Sequence, residues 1–249
     1  ARGARLMSVF DDPGLFGRLW AADYDGVDNP DPAQAVEFLA GLARGGPVLE
    51  LAVGTGRVAL PLAARGLVVS GVEASPEMVA VMRAKPGGAD IPVTMGDMAD
   101  VPVPGPYQLV YLVFNTLFNL VDAGRQADCF RNVARVLAPG GAFVIETYVP
   151  DPADVDRLEQ VQVRAVTEDS VTLRVHRFDR DAQRFIRQTI ILDGQGVRLK
   201  PFAMRYCWPD QIDDMAQRAG LQLTERYADW HRQPFDSSSP SHISVYRRP

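Results

Sequence analysis

The sequence predicts an α/β fold: a mostly parallel sheet flanked by helices, with an antiparallel β insertion acting as a lid. Three observations carry this. The apolar, strand-length run Pro47 to Ala52 passes through Gly54-Thr55-Gly56 into the helically spaced stretch Val58 to Ala64. Gly66 to Glu73 repeats the strand pattern, and Ser75-Pro76-Glu77 then supplies an N-cap, a first helical residue and an acid matched to the helix dipole. Beyond Asp151 the pattern changes. Val161, Val163 and Ala165, then Val171, Leu173 and Val175, alternate with polar residues, as antiparallel strands do.

In chain order, Ala1 to Leu6 precedes Met7 as a frayed end, and Val9 to Asn29 forms an N-terminal cap, within the segment 1–29. A helix runs from about Pro30 to Leu42. The strands and helices of the parallel half then fill 30–150: Pro47–Ala52, Gly66–Glu73, Val93–Met98 closed by Gly96-Asp97, and Leu109 onward as the fourth strand. Ala138-Pro139-Gly140-Gly141 reads as a helix stop before the buried strand Ala142 to Glu146. Asp151 to Asp156 is a Pro- and Asp-rich turn. The insertion, 157–207, holds three or four strands, with Asp193-Gly194-Gln195-Gly196 as a hairpin turn. Over 208–249, Trp208-Pro209-Asp210 opens a helix that ends at Gly220, and Leu221–Tyr227 and His242–Arg247 close the sheet. The 249 residues form one domain that can bury a sizeable core.

Bulk properties narrow the function. A net charge of −5 argues against nucleic acid, which needs a basic surface, and the arginines at 174, 177, 180, 184 and 187 are interleaved with Asp179 and Asp181. Cys129 and Cys207 have no metal spacing and read as free core thiols in a cytoplasmic protein. No apolar run approaches the roughly 18 residues of a membrane span. Nothing in the pattern fixes assembly, so a homo-oligomer is left open.

The chemistry gathers at the glycine turn. Gly54 and Gly56 permit backbone angles and close approaches that a Cβ forbids, so a cofactor can touch bare backbone there. Glu73 ends the second strand about 20 residues on, the spacing at which a nucleotide fold grips ribose hydroxyls. Asp97 closes the third strand, where a carboxylate can accept a bond from an exocyclic amine. There is no Gly-x-x-x-x-Gly-Lys-Ser/Thr loop, and the turn runs Ala-x-Gly-x-Gly instead of Gly-x-Gly-x-x-Gly, against P-loop or dinucleotide binding.

From Gly46 to about Val149 the chain resembles the class I S-adenosylmethionine-dependent methyltransferases. The motifs stand in that family's order: Leu49-Glu50-Leu51-Ala52-Val53-Gly54-Thr55-Gly56, Val72-Glu73-Ala74-Ser75, Gly96-Asp97-Met98 and Leu137-Ala138-Pro139-Gly140-Gly141. The resemblance implies a Rossmann-like seven-stranded sheet and S-adenosylmethionine as cofactor, with S-adenosylhomocysteine as product. It implies that Glu50 and the Gly54–Gly56 turn lie near the methionine part, that Glu73 holds the ribose, and that Ala74 and Met98 flank the adenine beside Asp97. Ala52 replaces the family's first glycine, a variant similar to that of sugar and small-molecule N-methyltransferases. Arg57, next after the turn, joins the cofactor set.

Ligands of open parallel sheets bind beyond the strand C-termini, so Phe114, Asn115 and Asn119 should face the reacting methyl group. Phe114 is a candidate to shield a sulfonium with its ring, the alternative being core packing. Asn119 is a candidate to hold the acceptor, the alternative being a turn residue; sugar N-methyltransferases that this stretch resembles carry His there. Glu146 can attract an ammonium group and take its proton, or cap a neighbouring backbone group. Tyr24 is the cap residue expected to reach the site. Among the histidines, His176 reads as exposed, His242 as structural, and His231, on a loop, as a candidate catalyst. The aspartates 151, 154 and 156 read as a solvated turn and no metal is expected, because no acid ends the fourth strand. The activity so read is methylation of a small-molecule acceptor under a lid, by in-line displacement in a dry pocket. Nitrogen on an amine of a sugar or secondary metabolite comes first and oxygen second. A cofactor-binding cyclase without methyl transfer is the alternative from another class.

Overall fold

The computed structural model describes Phe10 and residues 12–26, 31–156 and 159–249. The expected frayed end, most of the cap before Asp12, and the start of the helix expected at Pro30 lie outside these. Strands β1 (Val48–Leu51), β2 (Val69–Glu73), β3 (Val93–Met95), β4 (Tyr107–Leu112) and β5 (Leu137–Tyr148) pair in parallel. The last two strands, β10 (Gln222–Tyr227) and β11 (Ser241–Arg247), complete a seven-stranded sheet in the order β10-β11-β5-β4-β1-β2-β3, with β11 antiparallel to both neighbours. The chain walks outward from β1 to β3 and then returns to β4 on the other side of β1. That reversal opens a crevice beyond the C-terminal ends of β1 and β4.

Helices cover both faces, which is why β1 and β4 are apolar along almost their whole length. On one face α5 (Ala123–Val136) buries Cys129, Phe130 and Val133, and α7 (Pro209–Arg218) buries Ile212 and Ala216, against Leu49, Val110, Phe143 and Ile145. On the other, α2 (Ala33–Ala43) and α3 (Ala59–Ala64) bury Phe38, Leu39, Leu42 and Leu62 against Val48, Leu109 and Val144. Ser75 caps α4 (Pro76–Arg83), accepting the Met78 N–H at 3.2 Å, with Pro76 in its first turn. Asp122 caps α5 by accepting from Gly124 and Arg125.

Two local expectations are corrected. The Ala138–Gly141 stretch is not the helix stop: α5 already ends at Val136, and these residues loop out inside β5, where Leu137 pairs with Tyr107 and Ala142 with Leu109. The Asp151 to Asp156 turn contains a short helix, α6 (Pro152–Asp156), pinned by Arg180 donating to the carbonyls of Val155 and Asp156.

The insertion is a separate four-stranded antiparallel sheet, β6 (Glu159–Val166), β7 (Ser170–Asp179), β8 (Arg184–Asp193) and β9 (Gly196–Arg205). Its faces differ. Val161, Val163, Val197 and Leu199 stay exposed on one, while Phe185, Arg187 and Thr189 alternate onto the other. The second face meets α1 (Leu15–Trp20): the rings of Phe16 and Phe202 are 5.5 Å apart, with Phe185 next at 6.2 Å. Gln126 ties the base of the lid to the core, its Nε2 donating to the carbonyls of Arg205 and Leu117.

Candidate functional site

Cap, sheet ends and lid enclose one cavity of about 720 Å³ at the reversal point, within the roughly 300–1,000 Å³ typical of small-molecule sites. Gly17 and Tyr24 reach it from the cap, Ala52, Gly54, Arg57, Glu73, Ala74, Asp97 and Met98 from the sheet end, and Arg187 and Phe202 to Met204 from the lid.

At the sheet end the cavity wall is formed largely by backbone. Ala52 and Gly54 have φ of 53° and 57°, in the left-handed region. Glycine takes this at no cost; the Ala52 Cβ costs roughly 1–2 kcal/mol by the usual steric penalty. A Cβ built on Gly54 meets only the Ala52 carbonyl, at 3.9 Å, so it would project into the open cavity. Beside this cradle the Glu73 carboxylate accepts the N–H groups of Gly54, Ala74 and Ser75, each at 2.9 Å. Burial lifts its pKa above the usual range, opposed by those bonds. With two lone pairs on each oxygen, one on Oε2 is left to accept from a ribose hydroxyl. Asp97 is held by the Ala99 N–H at 2.8 Å and Arg125 at 2.9 Å, and lines the cavity with Met98 and Ala74. A ribose beside the Gly54–Glu73 hydrogen bond and a purine beside Asp97 fit this donor and acceptor set.

Two of the sequence-predicted cofactor residues do not line the main cavity. Gly56, φ 79°, faces the core: a Cβ there would come within 2.7 Å of the Met82 side chain, so packing requires the glycine. Glu50 opens only onto a narrow annex of about 30 Å³ shared with Tyr24, Arg57 and Phe114. It accepts from the Tyr111 hydroxyl at 2.8 Å, and burial pushes its carboxyl up to about 8. Arg57 lies flat over the Phe114 ring, 3.5 Å from its centroid, so one face of that ring is already taken by a cation.

The acceptor end differs. Asn119 lines the cavity from the turn Thr116–Asn119, and its buried Oδ1 has no hydrogen-bond partner. Glu146, also on the wall, accepts the Phe114 N–H at 2.8 Å and the Trp230 indole N–H at 2.9 Å. Burial raises its pKa, opposed by these two bonds and by Arg57. Tyr24 lines cavity and annex, its ring edge-on to Phe16 and its hydroxyl pKa raised by burial. Asn115 is spent on structure, its Oδ1 accepting the Tyr148 N–H.

His231 is not brought to the site. It is exposed, its N–H given to Asp229, and the adjacent Trp230 turns inward instead. His176 is half-buried, edge-on to Phe185 at 5.5 Å, and not exposed as its alternation suggested. His242 is wholly buried between Thr147 and Ser244, which holds it neutral with its pKa lowered to about 4. Trp230, Arg125 and Arg187 escaped the sequence reading because each reaches its place through long-range packing. No cluster of three or more His, Cys, Asp or Glu suited to a metal ion occurs among the described residues.

A methyltransferase-domain family model matches residues 48–141. The chain is similar to the CcbJ methyltransferase of Streptomyces caelestis, 38% identical with a TM-score of 0.86 over 95% of this chain and 99% of that one. It is 28% identical to the cypemycin N-terminal methyltransferase of a Streptomyces species, over 82% of this chain and 84% of the relative. S-adenosylmethionine-bound CalS10, an amino pentose methyltransferase from Micromonospora echinaspora, shares the fold at 21% identity and a TM-score of 0.67, covering 92% and 96% of the two chains.

Proposed function

The chain belongs to the class I S-adenosylmethionine-dependent methyltransferases, and on that premise we propose that it methylates the nitrogen of a small-molecule amine beneath its antiparallel lid. Bound S-adenosylmethionine supplies an electrophilic methyl group carried on a sulfonium. Gly54, Ala74, Met98, Glu73 and Asp97 hold its nucleoside, and Arg57, at the mouth of the annex, receives the carboxylate of its amino-acid part.

The observation that carries the nitrogen reading is the pair of hydrogen-bond acceptors at the far end of the cavity. The Asn119 Oδ1 is buried and without a partner, and the Glu146 carboxylate is buried with lone pairs to spare. Both suit an N–H donor. Asn119 orients the amine, and Glu146, whose raised pKa makes it a better proton acceptor, takes the proton the amine must shed. Tyr24 and Phe202 exclude water from the two sides of the cavity. The CalS10 and cypemycin relatives, by their names an amino pentose methyltransferase and an N-terminal methyltransferase, support an amine acceptor.

The test is incubation with S-adenosylmethionine and a panel of amines and matched alcohols, reading S-adenosylhomocysteine release and the methylated atom by mass spectrometry. N-methyl products are expected. Turnover confined to the alcohols would replace nitrogen by oxygen, and cofactor binding without turnover of any acceptor would remove the proposal.

A further inference from the structure

The inner face of the lid carries positive charge that methyl transfer itself does not use. The antiparallel register sets His176 of β7 opposite Arg187 of β8 and Arg174 opposite Thr189, while Phe202 of β9 lies opposite Arg187 on its other side. With a side-chain period of two, all five share one face. The Nε atoms of Arg174 and Arg187, the Nε2 of His176 and the Oγ1 of Thr189 are all buried without a hydrogen-bond partner. Like charges on neighbouring strands repel, and removing an unpaired cation from water costs several kcal/mol by general estimates.

Among the described residues, no salt bridge engages Arg174, His176 or Arg187. Burial, with Arg174 and Arg164 adding repulsion, pulls the Arg187 guanidinium down to about 10, and burial and Arg164 lower Arg174. Asp154 raises the His176 pKa against burial and the surrounding arginines, which lower it. Lys200, further along β9, is engaged by Asp23 and lies over the Trp20 ring.

Of the polar residues on this face Arg187 alone lines the cavity, with its guanidinium over the Phe202 ring, 4.5 Å from the centroid. Stacking fixes the plane of the fork and leaves its N–H edge for a planar, two-pronged acceptor. The geometry points to a carboxylate subsite on the lid: the amine acceptor bears a carboxylate that Arg187 receives, with Arg174 and His176 behind it. Arg187 is the one guanidinium that the lid's inner face brings to the wall, apart from Arg57 and Arg125 at the cofactor end, and it matches one negative charge, whereas a phosphate dianion would need further donors from the lid. The inference deepens the amine reading and rests on it for the identity of the acceptor.

The experiment follows the arginine Nε–H signals of ¹⁵N-labelled protein, saturated with S-adenosylhomocysteine, during titration with acetate, with inorganic phosphate and with chloride at matched ionic strength. Acetate should shift saturably the signal that Arg187→Gln removes. In that variant the acetate dissociation constant should rise at least about tenfold, with affinity for S-adenosylhomocysteine kept within about twofold. Arg187→Lys, which keeps the charge and loses the fork, should fall between. If acetate moves this signal no more than chloride does, or phosphate binds where acetate does not, the subsite is refuted; should Arg187→Gln fold poorly, Arg187→Lys supplies the same assignment. In turnover, β-alanine should exceed propylamine at least about tenfold in kcat/KM. If neither is methylated, the amine reading fails while the acetate titration still judges the subsite.

Discussion

The two ends of the cavity are built on opposite principles. Where the parallel strands end, polar groups arrive already paired: Glu73 holds three backbone N–H groups, and Asp97 holds one more together with Arg125. Under the lid they arrive unpaired, with Asn119, Arg174, His176 and Arg187 each burying a polar atom that has no partner. The first arrangement suits a ligand of fixed shape, met by pre-positioned acceptors. The second leaves hydrogen-bonding capacity for an acceptor molecule to complete, at a cost in the free protein that the ligand relieves.

Substitutions should separate the ends. Glu73→Ala removes the buried carboxylate and frees three N–H groups, so affinity for S-adenosylhomocysteine should fall about 10³-fold by calorimetry. An unchanged affinity would erase the distinction. The ends should also respond oppositely to pH. Glu50, beside the turn, has a folded pKa of about 8 against an ordinary 4.5, so folding binds a proton and stability is lost as pH rises from about 4.5 to 8. His242, bonded to Thr147 on the cavity wall, has a folded pKa of about 4 against 6.5, so stability is lost as pH falls from about 6.5 to 4. In order of magnitude this amounts to about 5 kcal/mol for Glu50 and about 3 kcal/mol for His242. Urea denaturation from pH 4 to 9 should therefore give a maximum that Glu50→Gln broadens on the alkaline side.

At the acceptor end, Glu146→Gln should lower kcat about 10²-fold while leaving cofactor affinity in place, and should flatten the fall in rate below the raised Glu146 pKa. Asn119→Ala should cost about tenfold in kcat/KM for an amine and yet leave the melting temperature equal or higher, because it deletes an unpaired buried acceptor. A lowered melting temperature would mean that Asn119 is a turn residue only. The smallest effect is expected of Ala52→Gly. Relief of its left-handed strain is offset by the entropy of an added glycine, and the net change should stay within about 1 kcal/mol in denaturant.

The same contrast explains what was legible in the sequence. The cofactor end is written locally: strand, turn, acid and cap follow within 30 residues, and β1, β2 and the Ser75 cap form where the pattern put them. The four lid strands were legible as elements because alternation marks them, but alternation does not say which face turns inward. His176 was assigned to solvent on that ground, although the face it shares with Arg187 packs on the cap. Loop residues were least legible. His231 has the chemistry and Trp230 has the position, and only the packing of the 228–234 loop against Phe38 and Glu146 decides between them. Gly56 and Glu50 share the turn motif, but one faces the core and the other a narrow annex, a difference of direction that spacing alone does not encode.

The contrast between a prebuilt cofactor end and an uncompleted acceptor end is tested most directly by calorimetric titration of S-adenosylhomocysteine into the wild type, Glu73→Ala and Asn119→Ala side by side. Micromolar binding kept in Asn119→Ala and lost in Glu73→Ala is the expected result. Equal losses in both, or binding that survives without Glu73, would contradict it.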